Sequence, residues 1–330
     1  MVTIMKSKLL AALRAADGYV SGQELCEQLK VSRTAVWKNM KQLQEEGYRI
    51  EAVKNRGYRI TGCPDTIAAE EIESRLNTAR MGRPVFCFDE ITSTNQYIKK
   101  IAEEGAPEGT LVIADEQTKG KGRSGRVWKT PKGTAVAMSL LLRPHMPPSK
   151  ISMVTLVMGL SVTRACTDLY DLQAGIKWPN DVVVDGKKLC GILTELSMEL
   201  MTVNYVVIGT GINVNVREFP EELSSTATSL LLQLGHETGR AELIACCMKY
   251  FEQYYECFEQ TVDLSLLMDE YNSLLLNRNR IVRVLDPAGE YQGLALGINR
   301  EGELLVRRED GSVTKVYAGE VSVRGVYGYV

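Results

Sequence analysis

Residues 32–61 read SRTAVWKNMKQLQEEGYRIEAVKNRGYRIT, and the two halves follow different periods. In the first half Ala35, Val36, Met40 and Leu43 recur at helical spacing. In the second, Tyr48, Ile50 and Val53, then Tyr58 and Ile60, fall as in strands, with Asn55-Arg56-Gly57 suited to a hairpin turn. Ser32 is placed to cap a helix over 33–46, and Gly47 stands where the chain must leave it. Upstream, Ser21 caps a helix over 22–29, with Glu24 three residues on as a capping box. The segment 6–16 carries Leu9, Leu10 and Leu13 on one helical face. Helix, helix, turn, helix, hairpin is the order of a winged helix-turn-helix, expected over residues 1–63.

The charge agrees. Residues 1–63 hold 11 Lys/Arg against 6 Asp/Glu, while the remainder holds 28 against 35, so a net charge of −2 conceals a basic front on an acidic body. Such a front suits a polyanion. The candidate DNA contacts are Ser21 and Ser32 at helix starts, Arg33, Thr34, Ala35, Lys38 and Asn39 early on the second capped helix, and Lys54 and Arg56 at the wing tip.

At 330 residues, 45% hydrophobic and 24% charged, the chain has the composition of a globular protein of two or three domains. The eight cysteines form no C-x-x-C pair and only two histidines occur, which argues against a zinc site. Scattered cysteines read as reduced thiols, and no signal-peptide core is seen, so a cytoplasmic protein is expected. The longest apolar stretch, 151–162, is too short to cross a bilayer and reads as a core helix; no membrane role is expected.

Cys63-Pro64-Asp65 reads as a linker, followed by a helix over 67–76. A second part, 64–277, alternates strand-like runs (85–88, 110–114, 134–142, 181–184, 189–195 and 205–208) with helical stretches at 95–104 and 151–170. Asp185-Gly186 signals a tight turn, hence antiparallel pairing and a mixed sheet. An amphipathic helix with Ile244, Cys247, Met248, Phe251, Tyr254, Tyr255 and Phe258 at spacings of three and four closes this part. Residues 278–330 alternate short strands and turns, as in a small barrel.

Four motifs in the second part carry chemistry. Residues 115–126, DEQTKGKGRSGR, follow a strand and combine Gly120, Gly122 and Gly125 with Lys121, Arg123 and Arg126, a mobile cationic loop suited to phosphate or carboxylate. It is neither a Walker A loop nor a dinucleotide fingerprint. Lys177-Trp178-Pro179-Asn180-Asp181 makes a corner between strands; beyond it Lys188 enters the next strand and Gly191 leaves room for a ligand. Ser93-Thr94-Asn95 opens a helix, where capping is the ordinary role and a polar cup the functional one. Gly209-Thr210-Gly211 leads to Asn213 at a strand end.

Taken together these motifs resemble the biotin–protein ligase family, and with the winged helix in front the chain resembles its bifunctional ligase and biotin operon repressor type. Gly319-Glu320-Val321-Ser322-Val323-Arg324 is similar to that family's C-terminal barrel. The resemblance implies an α+β multidomain chain: a winged helix, a mixed-sheet α/β ligase domain related to class II synthetase-like folds, and a small SH3-like barrel. It implies ATP and Mg²⁺ as partners in catalysis, biotin as substrate, and biotinyl-5′-AMP as intermediate and corepressor. It also implies a biotin carboxyl carrier domain and operator DNA as partners, with a homodimer when the adenylate is bound. Ser93, Thr94, Asn95 and Gln117 then bind or frame the biotin ureido end. Lys121, Gly122 and Arg123 close over carboxylate and phosphate, and Lys188 neutralises the α-phosphate with Gly191 beside it. Arg126, Asp181 and Asn213 take the nucleotide or Mg²⁺. Lys121 and Ser124 depart from the family's frequent arginines, and Lys keeps charge without the bidentate fork. A lipoate-type ligase and a non-catalytic biotin-sensing repressor remain alternatives.

Overall fold

The structure, a computed structural model, describes residues 2–200, 202–286, 289–317, 322–325 and 329. By packing, residues 1–77 with 239–245 form one unit, and 78–238 with 246–330 another.

The first unit comprises α1 (Val2–Ala15), α2 (Gly22–Leu29), α3 (Arg33–Glu45), β1 (Arg49–Val53), β2 (Gly57–Gly62) and α4 (Ala69–Glu73). The caps are those the sequence signals: Ser21 Oγ accepts from Glu24 N (3.1 Å) and Ser32 Oγ from Ala35 N (3.2 Å). Leu9, Leu10, Leu13, Leu25, Val36, Met40 and Leu43 are buried together as its core. The wing is stitched to the chain before α2, because Val20 and Tyr58 exchange backbone hydrogen bonds of 2.9 and 2.8 Å. Gly57 has φ +106, and a Cβ there would lie 2.1 Å from Val20 O, so only glycine fits. The expected helix over 67–76 is shorter and packs within this unit. Its Glu71, 1% exposed, accepts from both Arg14 (2.6 and 2.7 Å), Arg75 (2.7 Å) and Tyr48 (2.7 Å). Burial pushes the Glu71 carboxyl up, but the bonds from Arg14, Tyr48 and Arg75 outweigh it and leave it below the ordinary value.

The second unit is built on a seven-stranded sheet of β3 (Val85–Ile91), β4 (Leu111–Gln117), β5 (Ala135–Leu142), β6 (Gly175–Lys177), β7 (Asp181–Val184), β8 (Lys187–Glu199) and β9 (Thr202–Asn213). The order is β3-β4-β5-β9-β8-β7-β6; β3 and β4 are parallel and every other neighbour pair is antiparallel, a mixed sheet as expected. The β7–β8 turn is Asp185-Gly186, with φ +48 and +72 as a type I′ hairpin needs. Its central strand β5 is buried along its whole length, which is why residues 135–142 read as a continuous apolar run. On one face lies α6 (Ser152–Tyr170), where Thr155 Oγ1 meets Thr194 Oγ1 at 2.7 Å. The other face is half covered by α5 (Thr94–Glu103), whose Ile98 and Ala102 pack on Val112, Leu141 and Val207. Strand β6 and the full lengths of β8 and β9 were not expected from sequence.

The rest of this unit includes α7 (Glu221–Ser224), α8 (Leu230–Leu234), most of α9 (Arg240–Thr261) and α10 (Met268–Leu274). Beyond them β10 (Ile281–Leu285), β11 (Tyr291–Ile298), β12 (Leu304–Arg307), β13 (Val313–Val316) and β14 (Ser322–Gly325) form an antiparallel sheet of order β13-β12-β11-β10-β14. Where a barrel was expected, no pairing closes β13 onto β14 among the described residues; Gly319, Glu320 and Val321 lie outside them. Trp178, 1% exposed, holds this region to the large sheet: its backbone N–H donates to Asn277 Oδ1 (2.8 Å) and its indole N–H to Gly302 O (3.1 Å). No helix among the described residues is long and apolar enough to cross a membrane.

Candidate active site and nucleic-acid interface

Register builds the cleft. Ala114 pairs with Ala137, Ala137 with Gly211, Gly211 with Gly191 and Gly191 with Asp181, one row of small residues across five strands. Two positions along, Gly209 lies between Ser139 and Leu193 on the same face. These rows leave troughs, and the protein fills both. A Cβ on Gly211 would lie 2.4 Å from the Trp128 indole, and one on Gly209 would lie 2.3 Å from Asn95 Oδ1. The result is a cleft of about 1360 Å³ that gathers Ser93, Thr94, Asn95, Gln117, Lys121, Gly122, Arg123, Arg126, Asp181, Lys188, Gly191 and Asn213. Every residue expected at the ligand site lines it.

One end is polar and carries no net charge, because its carboxylate, Glu195, is paired with Lys99. Ser93 stands at the helix start but makes no side-chain capping bond, so the ordinary reading of this motif does not hold. Thr94 instead donates from N (2.9 Å) and Oγ1 (3.1 Å) to Gln117 Oε1. Ser139 Oγ lies 2.7 Å from Thr94 Oγ1 and 2.5 Å from Asn95 Oδ1, and Asn95 Nδ2 donates to Glu195 Oε2 (2.6 Å). Ser139 and Glu195 were missed because neither lies within a local motif: Ser139 is inside the buried run of β5 and Glu195 four residues beyond Gly191 on β8.

The other end is cationic. Arg123 donates to Asn180 Oδ1 (2.8 Å), and Lys188 Nζ sits 2.6 Å from Asp181 Oδ1. Burial lowers the Arg123 pKa; Asp181 opposes that shift and Arg126 adds to it. Lys121 is exposed. Two backbone hydrogen bonds tie the loop in this arrangement: Gly122 N donates to Arg126 O (2.7 Å) and Trp128 N to Gly120 O (2.9 Å). A Cβ on Gly120 would lie 2.4 Å from Trp128 O, and Gly125 has φ +72, so these glycines answer packing and φ. The side chain of Ser124 lies outside the described residues. The room expected beside Gly191 is taken by Lys188 (2.9 Å from a Cβ there) and Trp128 (3.4 Å). Asn213 Nδ2 donates to Thr228 O (3.0 Å). Trp128 Nε1 and Thr210 Oγ1 are buried with no partner among the described residues, polar atoms suited to a ligand.

In the first unit, Arg33, Thr34, Lys38, Lys54 and Arg56 are exposed. Ser21 and Ser32 spend their hydroxyls on caps; Ala35 O accepts from Asn39 Nδ2 (2.8 Å), and Arg33 donates to Gln23 (2.8 Å). Two aromatics were missed. Trp37 is 58% exposed on α3, with Lys41 Nζ 5.8 Å from its ring. Tyr19 lies under Arg56 (4.3 Å) and Arg59 (5.0 Å), holding the wing's cations.

A winged helix with an exposed basic face, in one chain with a cleft that sets several cations opposite a polar cup, defines a DNA-binding protein that also carries an anion-handling ligand site. Known proteins sharpen that class. Residues 6–59 match the HTH domain family, 85–213 the Biotin/lipoate A/B protein ligase family, and 279–324 the Biotin protein ligase C terminal domain. The chain is 38% identical to the bifunctional ligase/repressor BirA of Bacillus subtilis over 325 residues, covering 97% of this chain and 99% of that one. It is 31% identical to that of Escherichia coli over 316 residues, 96% of each. Among solved structures it resembles the biotin protein ligase of Aquifex aeolicus in complex with biotin and ATP, with a TM-score of 0.65 and 30% identity over 74% of this chain and 99% of that one. The chain belongs to the biotin–protein ligase family, in its bifunctional ligase/repressor form.

Proposed function

We propose that this protein joins biotin to a lysine of a biotin carboxyl carrier domain through biotinyl-5′-AMP, made from biotin and ATP, and that with the adenylate bound it dimerises on operator DNA and represses transcription of biotin synthesis genes. The observation that carries the ligase half is the glycine-floored cleft, with a neutral cup at one end and Arg123, Lys121 and Lys188 at the other. Ser93, Thr94, Asn95 and Gln117 frame the neutral ureido ring. Gly122 and Arg123 stand at the carboxylate, and Lys188 at the α-phosphate. Two anions must meet for the acid to attack, and fixed cations in a partly buried cleft lower that barrier. The residues suit Mg²⁺ carried with the nucleotide: among those described no three acidic, His or Cys side chains converge, and Mg²⁺ is commonly held by one or two carboxylates plus phosphates. Lys188 and Tyr329 already engage both Asp181 oxygens, so the ion would rest mainly on the phosphates and neutralise their charge, with Asn213 and Arg126 beside them. No enzyme nucleophile is needed. Buried Cys190 and Cys247 suit none, since burial holds both thiols far above their usual pKa.

For repression, Arg33, Thr34 and Lys38 reach base edges while Lys54 and Arg56 take phosphate. Functional boundaries at 1–63, 64–277 and 278–330, and a cytoplasmic setting, complete the proposal. Mass spectrometry of a biotin carboxyl carrier domain incubated with the protein, biotin, ATP and Mg²⁺ tests it. A biotin-sized mass gain is expected, with none from lipoic acid; no gain overturns the reading. Lys188→Ala and Arg123→Ala should release no pyrophosphate. Sedimentation with and without adenylate tests the dimer; a monomer in both overturns that part.

A further inference from the structure

We infer that Tyr329 is a positioning residue for the adenylation step, acting on Lys188 through Asp181. This rests on the proposed role of Lys188 and extends it to the end of the chain. Tyr329 lines the same cleft as Asp181, Lys177 and Lys188. Its hydroxyl donates to Asp181 Oδ2 at 2.6 Å, while Lys188 Nζ lies 2.6 Å from Asp181 Oδ1. Both oxygens of one carboxylate, whose side chain is 13% exposed, are therefore engaged, Oδ2 by the tyrosine's hydrogen bond and Oδ1 by the lysine's charge, a close ion pair rather than a hydrogen bond. The ring is held in turn: Lys177 Nζ, on a residue 7% exposed, sits 3.4 Å from its centroid.

The physical need is clear from lysine itself. An ammonium on a four-carbon stem is a mobile point charge, and holding it at one phosphate costs side-chain entropy. Asp181 supplies the anchor, but a carboxylate turns about a soft, roughly two-fold terminal torsion. A second donor on the far oxygen restricts that turn, so the Lys188 ammonium is aimed as well as paired. Trp128 borders the same ammonium, 5.8 Å from its ring centroid, which leaves it little room to move otherwise.

The test is Tyr329→Phe in the full-length protein, which keeps the ring over Lys177 and removes only the donor. With biotin and Mg·ATP, the turnover rate for pyrophosphate release should fall about tenfold, a fraction of the roughly hundredfold an ångström of misplacement can cost. Biotin KM and melting temperature should not change. In an Asp181→Asn background, itself slowed, adding Tyr329→Phe should slow the enzyme no further, because the path runs through that carboxylate. Wild-type turnover in Tyr329→Phe, with Lys188→Ala inactive, overturns the positioning role and leaves the ligase reading standing. Full turnover in Lys188→Ala overturns both. Faster turnover with tighter ATP binding in Tyr329→Phe, or parallel losses of biotin affinity and melting temperature, also overturns the positioning role.

Discussion

The winged-helix unit and the large sheet hold their functional groups in opposite ways. In the first, helix α3 presents its polar contacts within six residues, so Arg33, Thr34 and Lys38 come from the first two turns of one capped helix. In the second, only β7 and β8 are joined by a turn that the local sequence signals; nothing local brings the other strands of the floor together. Ala114, Ala137, Asp181, Gly191 and Gly211 come from five strands, and only pairing register aligns them. A site built on one helix tolerates small shifts of its neighbours. A site built on register loses its floor when a single row is disturbed.

Gly211→Ala probes that contrast most severely. The new Cβ would fall 2.4 Å from the Trp128 indole, which must swing out of the cleft. Adenylation, read as pyrophosphate release, should drop about a hundredfold, while binding to a nonspecific DNA duplex is retained. Equal loss of both would show that the units do not separate so cleanly.

Glu71→Gln tests the first unit from inside. It takes the charge from a carboxylate, 1% exposed, that faces Arg14 and Arg75. Breaking a buried pair costs about 3–5 kcal/mol, and the part-exposed arginines reduce this to roughly 2 kcal/mol. Hydrogen exchange of the α1 and α3 amides in the whole protein should speed up accordingly, with adenylation unchanged. The same pair sets an acid limit. The native Glu71 pKa lies below the ordinary 4.5, so its contribution is complete above that value and is lost as pH falls through the lowered one. Protection of the α1 amides, corrected for the intrinsic exchange rate at each pH, should therefore fall below pH 4.5, and Glu71→Gln should remove that fall.

Ser32→Ala is the mildest probe. It deletes the 3.2 Å bond to Ala35 N and should cost about 1 kcal/mol, read as faster exchange at the start of α3 and weaker DNA binding without change in adenylation.

These magnitudes follow what was legible in the residues. Caps at Ser21 and Ser32, the turn at Asp185-Gly186 and the buried run of β5 are local signals, and each element stands where they place it. The cleft residues were legible only jointly, as a family pattern, because glycine, lysine and asparagine in short motifs have many ordinary uses. Ser93 shows the hazard: its position is that of a cap, yet it makes no capping bond. Glu195, Ser139 and Tyr329 had no local signal at all, for they matter through partners 100, 44 and 148 residues away.

The sequence alone determined the winged helix, its basic face and the antiparallel hairpin in the second part. Capping, turn geometry and charge act over a few residues and need no distant partner. Tertiary structure decided that small residues from five strands form one floor and that Trp128 lies on it. It also decided that Asp181 divides its oxygens between Lys188 and Tyr329. Those contacts follow from strand register and chain crossing, which a linear pattern of side chains does not encode.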